Sequence, residues 1–296
     1  MTGEICALIC ACCWAVSSTL TKSVAGRIPP DTLNLLRCLA ASAFFWAVIP
    51  FSPGTKGIGE IPLLPLLYLV SSALIGIVLG DSLYFRGLKR IDVTLAFPLT
   101  QAAMPLATLG IAVLFLGEAV TWVLLLGTLL VLGGISLLIS PESGTRRLLQ
   151  ARLSGSREAG VFLMLISSVL WAVSICFVKV GIQEVNILVA NGIRLPIACL
   201  LLFLFLFLPG PRAAHRLPAY RDLSLGAISG VLGFGIGGIF FLLAIQYAGA
   251  AKAAVLTSSA PLLGLPLSVV YLKEKVTRKR VFGTVLVVLG ILFLVR

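Results

Sequence analysis

Charge is scarce in this chain of 296 residues: 11% are Asp, Glu, Lys or Arg. Soluble domains run at roughly 25% charged, so there is too little polar material here to cover the surface of two soluble domains. Histidine is nearly absent, with His215 the single one, set in the polar stretch PGPRAAHRLPAYRD and read as a solvated loop residue. There is no HExxH, no nucleophile elbow, no Walker A and no Gly-rich phosphate loop after a strand. These gaps argue against an enzyme and leave no expected cofactor or metal. The run Gly233-Phe234-Gly235-Ile236-Gly237-Gly238 looks like a phosphate loop only out of context, and close helix packing or flexibility is its better reading.

What is abundant is apolar sequence. Hydrophobic residues make up 59% and the mean hydropathy is +1.11. The seven cysteines (Cys6, Cys10, Cys12, Cys13, Cys38, Cys176 and Cys199) all fall within apolar stretches and read as small buried filler. The net charge of +12 does not mark a nucleic-acid binder, because the Lys and Arg sit in short loops between apolar segments. The N-terminus lacks the basic region of a cleavable signal, and its apolar stretch continues past Leu20, so it is read as a first transmembrane helix.

The chain is also written twice. WAVSSTLTK (14–22) returns as WAVSICFVK (171–179), an offset of 157 that also carries Asn34 and Arg37 onto Asn191 and Arg194. After one deletion an offset of 156 carries Pro105 onto Pro261, Glu118 onto Glu274, Thr121 onto Thr277 and Gly134 onto Gly290. A fixed offset sustained over such a length is a duplicated unit.

Each copy holds five apolar stretches, at about 4–24, 32–51, 63–85, 94–117 and 121–139, then 159–179, 186–208, 222–246, 252–272 and 280–295. Most are near the ~20 residues that cross a bilayer core. The predicted fold is all-α and polytopic, with ten transmembrane helices, units 1–139 and 159–296, and a polar linker at 140–158. Five is odd, so the two copies cross in opposite senses and form an inverted repeat. Loop charges agree. One side holds only Lys56, Lys179, Lys252 and Arg296, Arg37 and Arg194 lie inside helices, and the remaining 17 of 23 cations lie on the other side. The positive-inside rule then puts both termini outside.

With W-A-x-S, N-x-x-R and P-x(12)-E each present twice and in order, the chain resembles the drug/metabolite transporter superfamily, nearest to its EamA branch of ten-helix bacterial exporters. The resemblance implies an inner-membrane carrier of small metabolites that works by alternating access. Two departures stand out. Trp14 stands where four-helix small multidrug-resistance relatives carry a coupling carboxylate, and ten-helix members are commonly drawn with cytoplasmic termini.

Several residues are candidates for the transport site. Trp14, Ser17, Ser18 and Thr21 share one helix face, as do Ser167, Ser168, Trp171 and Ser174, and such polar stripes turn from lipid toward helix seams or a wet cavity. Pro98, Gln101, Pro105 and Thr108 form a stripe on helix four, matched by Thr257, Pro261 and Gly264 on helix nine. Mid-helix proline frees a carbonyl, so Pro105 and Pro261 are candidate hinges, with Thr100, Gln101, Thr257, Ser258 and Ser259 beside them. Arg37 and Arg194 are either interfacial anchors or cavity charges, oriented by Asn34 and Asn191. Tyr84 joins the substrate-contact set. Asp81, aligned with Gly237, is the acidic residue well inside a span and the candidate coupling group, in competition with a solvated or Arg86-paired role. Glu118 and Glu274 read as caps of the turn into the next helix.

Without an ATP module, uphill transport needs an ion gradient, with the proton as candidate. The expected function is a secondary carrier exporting small amphipathic metabolites, amino acids first. The alternative is a carrier of anionic or phosphorylated metabolites, of the nucleotide-sugar or sugar-phosphate type. Expected partners are a small-molecule substrate, lipid and protons, and one chain already holds both halves, so a monomer suffices.

Overall fold

The computed structural model describes residues 1–24, 27–52, 61–88, 90–91, 93–139, 156–207, 218–260 and 278–295. They fold into α1 (Thr2–Val24), α2 (Pro30–Val48), α3 (Leu63–Ser72), α4 (Asp81–Leu88), α5 (Val93–Leu116), α6 (Trp122–Ile139), α7 (Ser156–Gly181), α8 (Ile187–Phe207), α9 (Tyr220–Gly230), α10 (Gly237–Ala248), α11 (Ala250–Thr257) and α12 (Arg278–Val295). No strand occurs among the described residues. Among the described residues seven segments are long and apolar enough to cross a membrane, and the apolar helices 122–137 and 281–295 are shorter. The protein is a polytopic helical membrane protein built from two inverted five-helix repeats. The linker 140–158 lies almost wholly outside the described residues, as do Pro261 and Glu274.

Large apolar side chains such as Leu63, Leu114, Phe115, Trp122 and Leu129 stand exposed around the bundle. In water this surface would be costly, and in a bilayer it is the ordinary outer face.

The third and eighth spans are not simple α-helices. α3 and α4 are joined by a π segment, Ala73–Gly80, and α9 and α10 by a second, Val231–Ile236. A π turn fits an extra residue into each turn and tends to appear where function needs a displaced side chain or carbonyl. The two segments occupy equivalent places in the two halves. That of the third span packs on α7, and that of the eighth on α1, so each half's widened turn meets the other half's first helix.

Contacts between positions 157 apart mark the twofold axis. Ser42 Oγ lies 3.6 Å from Cys199 Sγ where α2 crosses α8. At the periphery, α6 and α12 pair through Gly134 and Gly290. A Cβ on Gly134 would come within 2.6 Å of the Gly283 carbonyl, and one on Gly290 within 2.9 Å of the Gly127 carbonyl. Small residues at such seams let helix backbones approach closely in lipid.

Both termini meet at one end. There Glu4 pairs with Lys252 at 2.6 Å, and Lys179 Nζ donates to the Ile245 carbonyl at 3.0 Å. At the opposite end Arg27 pairs with Asp222 at 2.8 Å, and the Asp222 hydrogen bond holds the Arg27 guanidinium above its already high ordinary value.

Candidate functional site

Where the two π segments meet the facing first helices, the duplicated residues make duplicated bonds. Ser17 Oγ donates to the Ser229 carbonyl at 2.7 Å, and Ser174 Oγ to the Ser72 carbonyl at 2.8 Å, so both partners are related by 157. Glycine permits this approach. A Cβ on Gly233 would lie 2.5 Å from Ser17 Oγ, and one on Gly76, its mate, would overlap Ser174. One turn on, a Cβ on Gly80 would lie 2.8 Å from the Trp171 ring, and one on Gly237 3.1 Å from that of Trp14. The aromatic layer repeats as well. Trp14 stacks on Phe241 with centroids 5.0 Å apart and 47° between planes, and Trp171 on Tyr84 at 5.1 Å and 46°.

These pairs correct one alignment. The offset of 157 persists through Tyr84 and Phe241, so the mate of Asp81 is Gly238, not the expected Gly237. The deletion that shortens the offset to 156 falls later, before Pro105.

Symmetry breaks at the polar heads. Trp14 Nε1 donates to the backbone carbonyl of Gly233 at 3.2 Å, whereas Trp171 Nε1 donates to Asp81 Oδ1 at 2.8 Å. Asp81 is half-buried, as are Tyr84 and Trp171, and the Arg37 charge acts on it electrostatically. The carboxylate therefore pairs with Trp171 rather than with Arg86, which lies over the Phe205 ring at 5.3 Å.

The arginines also diverge. Arg194, 8% exposed, donates from Nε to Ser72 Oγ at 2.8 Å and from Nη1 to Asn191 Oδ1 at 2.9 Å. Arg37 instead lies over the Phe234 ring at 4.4 Å, with Nη2 3.5 Å from Ser17 Oγ. Arg194 is buried and Arg37 half-buried, each engaged with the other half of the bundle or with its own neighbouring helices. Asn34 steadies the first π segment by donating to the Ile77 carbonyl at 3.2 Å.

The remaining candidates are dispersed. Ser18 is exposed, whereas Ser17 is buried. Thr257 and Ser258 are buried and donate to carbonyls of their own helix, Ala253 and Ala254. Thr100 and Pro105 are buried on α5, and Gln101 is half-buried beside them. Ser167 Oγ donates to the Gly80 carbonyl at 2.8 Å, tying α7 to the end of the π segment.

Glu118 does something its sequence position did not announce. Its carboxylate accepts from the backbone N–H of Ala250 at 2.6 Å and of Ala251 at 3.1 Å, capping α11 of the other half. Thr121 Oγ1, by accepting from Leu124 N at 3.1 Å, takes the role of local cap for α6. Gly249, at φ 88°, makes room for the Glu118 carboxylate. A recess of about 350 Å³ opens at this end, lined by Glu118, Thr121, Lys179, Gly249 and Lys252 among others. Among the described residues no three His, Cys, Asp or Glu side chains cluster as metal ligands.

Comparison with known proteins gives the same architecture a context. The model of the EamA-like transporter family matches residues 1–140 and 158–296. An uncharacterized transporter of Archaeoglobus fulgidus is 24% identical over 292 residues, covering 97% of this chain and 95% of that one. A crystal structure with 18% identity superposes with a TM-score of 0.80 over 98% of this chain and 95% of its own, a likeness in fold alone.

Proposed function

We propose that this chain, which belongs to the EamA-like transporter family, is a secondary carrier exporting small zwitterionic metabolites, amino acids first, by alternating access. The observation that carries this reading is the asymmetric centre. The carboxylate of Asp81 sits beside the Trp171 and Tyr84 rings, the guanidinium of Arg37 is within its electrostatic reach, and uncharged rings complete the other half. A negative pole, a positive pole and aromatic walls together match a solute bearing an ammonium, a carboxylate and an apolar side chain. The anionic-metabolite alternative needs two free guanidinium groups, and Arg194 is already engaged by Ser72 and Asn191.

In this account Trp14, Ser17, Arg37, Tyr84 and Trp171 border the solute path, Asp81 is the proton-coupling group, and Pro105 and Pro261 are the hinges. Residues 1–139 and 159–296 are the two rocking units, joined by 140–158. One chain suffices. The bacterial-type inner membrane is the setting, with the Glu118–Lys252 end, which carries both termini, facing outward by the loop-charge bias.

The test is uptake of an amino-acid panel into liposomes holding the purified protein, with and without a pH gradient, for native protein and Asp81→Asn. The reading expects accumulation of apolar zwitterionic amino acids driven by the gradient, lost in Asp81→Asn. Equal rates throughout would overturn coupling through Asp81. Transport of sugar phosphates to the exclusion of amino acids would overturn the substrate class.

A further inference from the structure

Two buried donors at the centre have no partner: Arg37 Nε and Asn191 Nδ2. Buried polar groups are nearly always hydrogen-bonded, and each orphan needs a reason. The twofold identifies what is missing. Arg194, the mate of Arg37, directs its Nε at Ser72 Oγ. The mate of Ser72 is Ser229, whose hydroxyl donates to Gly226 at 2.7 Å as that of Ser72 donates to Leu69 at 2.6 Å, which leaves its oxygen able to accept. Asn34, the mate of Asn191, donates to the Ile77 carbonyl, whose mate is that of Phe234. Each orphan thus has a counterpart that is satisfied in the other half.

The path for Arg37 is short. A Cβ on Gly230 would lie 2.6 Å from Arg37 Cα, so the α2 backbone already touches α9 next to Ser229. Arg37 and Ser229 therefore sit on neighbouring turns of two helices already in contact. Arg37 rests on the Phe234 face and against Ser17, with the charge of Asp81, whose mate is Gly238, acting on it electrostatically.

We propose that Arg37 and Asn191 form one arm of a repeat-swap switch. In the opposite-facing state Arg37 Nε donates to Ser229 Oγ and Asn191 Nδ2 to the Phe234 carbonyl, while Arg194 and Asn34 release Ser72 and Ile77. The inference rests on the alternating-access reading above, because opposite-facing states of an inverted repeat interconvert as the halves exchange arrangements. Asp81 biases the switch. A solute ammonium beside it weakens its hold on Arg37 and favours the swap, which ties solute binding to movement.

Hydrogen–deuterium exchange of the full chain in nanodiscs tests this without a substrate. The segments to read are 245–257, which Glu118 bridges at one end, and 220–226, which Arg27 bridges at the other. Ser72→Ala removes an acceptor used in the present state, and Ser229→Ala one used only in the swapped state. The two variants should therefore shift the balance in opposite directions, by about tenfold each, the worth of one charge-assisted hydrogen bond. Exchange at each segment then changes with opposite sign in the two variants, and Arg37→Lys, which keeps the charge but lacks Nε, follows Ser229→Ala. Changes of the same sign, or none in either variant, overturn the switch. If both the uptake panel and the exchange split fail, the carrier reading falls. A positive panel with no split removes the switch alone.

Discussion

Trp171 donates its indole N–H to Asp81 Oδ1 at 2.8 Å, the bond at which the two halves of this protein stop being copies. Its mate Trp14 bonds a backbone carbonyl. Replacing Trp171 with Phe keeps the ring against Tyr84 and removes only the donor. The carboxylate then loses one hydrogen bond to a charged group, worth about 1.5–3 kcal/mol. The apparent KM for the transported solute should change by about tenfold or more, while Trp14→Phe changes it far less. Radiolabelled uptake kinetics on both variants measure this, and equal effects would remove the special role of the Asp81 side.

Arg194 is predicted to stabilise the present state of the bundle. Its guanidinium is buried and satisfied by Ser72 and Asn191, so Arg194→Ala leaves the Asn191 amide oxygen without that donor in a cavity and costs about 1–3 kcal/mol. Detergent-solubilised Arg194→Ala should unfold several degrees below the native protein, whereas Arg37→Ala, which removes one hydrogen bond at 3.5 Å, should lose less stability and more transport.

Glu118 holds the two halves together at the end that carries the termini. Glu118→Gln keeps the shape but removes the charge that favours a helix N-terminus and one of the two acceptors, so a loss of about 1 kcal/mol is expected. Glu118→Ala, which also leaves the Ala250 and Ala251 N–H groups uncapped, should lose about 2 kcal/mol. Thermal unfolding in the order native, Gln, Ala checks the cap. Thr121→Ala should act separately, through α6.

The α6–α12 seam depends on glycine. Because a Cβ on Gly134 would lie 2.7 Å from the Val287 backbone nitrogen, Gly134→Val must push the helices apart. A loss of about 1–3 kcal/mol, in line with overpacking, should appear as a lower Tm. Gly133→Val, one residue away with open space around it, should not show it.

Much of this was legible in the chain itself. The repeat of WAVS at an offset of 157 foretold that Trp14 and Trp171 would occupy equivalent places, because copies of one sequence pack against one another in one way. Apolar stretches near the bilayer length marked the spans. The π segments were not legible, because an extra residue in a turn leaves an all-apolar eight-residue run such as ALIGIVLG without a periodicity to disturb. Gly76 and Gly233, Gly80 and Gly237 did carry a signal, since each pair is 157 apart and lies where a Cβ would strike the facing helix. Ser18 was grouped with Ser17 because a helical face is wide, and in lipid nothing in the spacing separates a seam from the outside. The partner of Glu118 lies 132 residues away, beyond any local capping rule.

Counterflow tests the central claim most directly. Liposomes holding the native protein are preloaded with an unlabelled apolar amino acid, and entry of the labelled one is timed with no ion gradient. A carrier with one site between two rocking halves returns faster when loaded, so preloading should accelerate uptake several-fold, and Trp171→Phe should blunt the acceleration. Uptake indifferent to what the liposome contains would contradict alternating access at the Asp81–Trp171 centre.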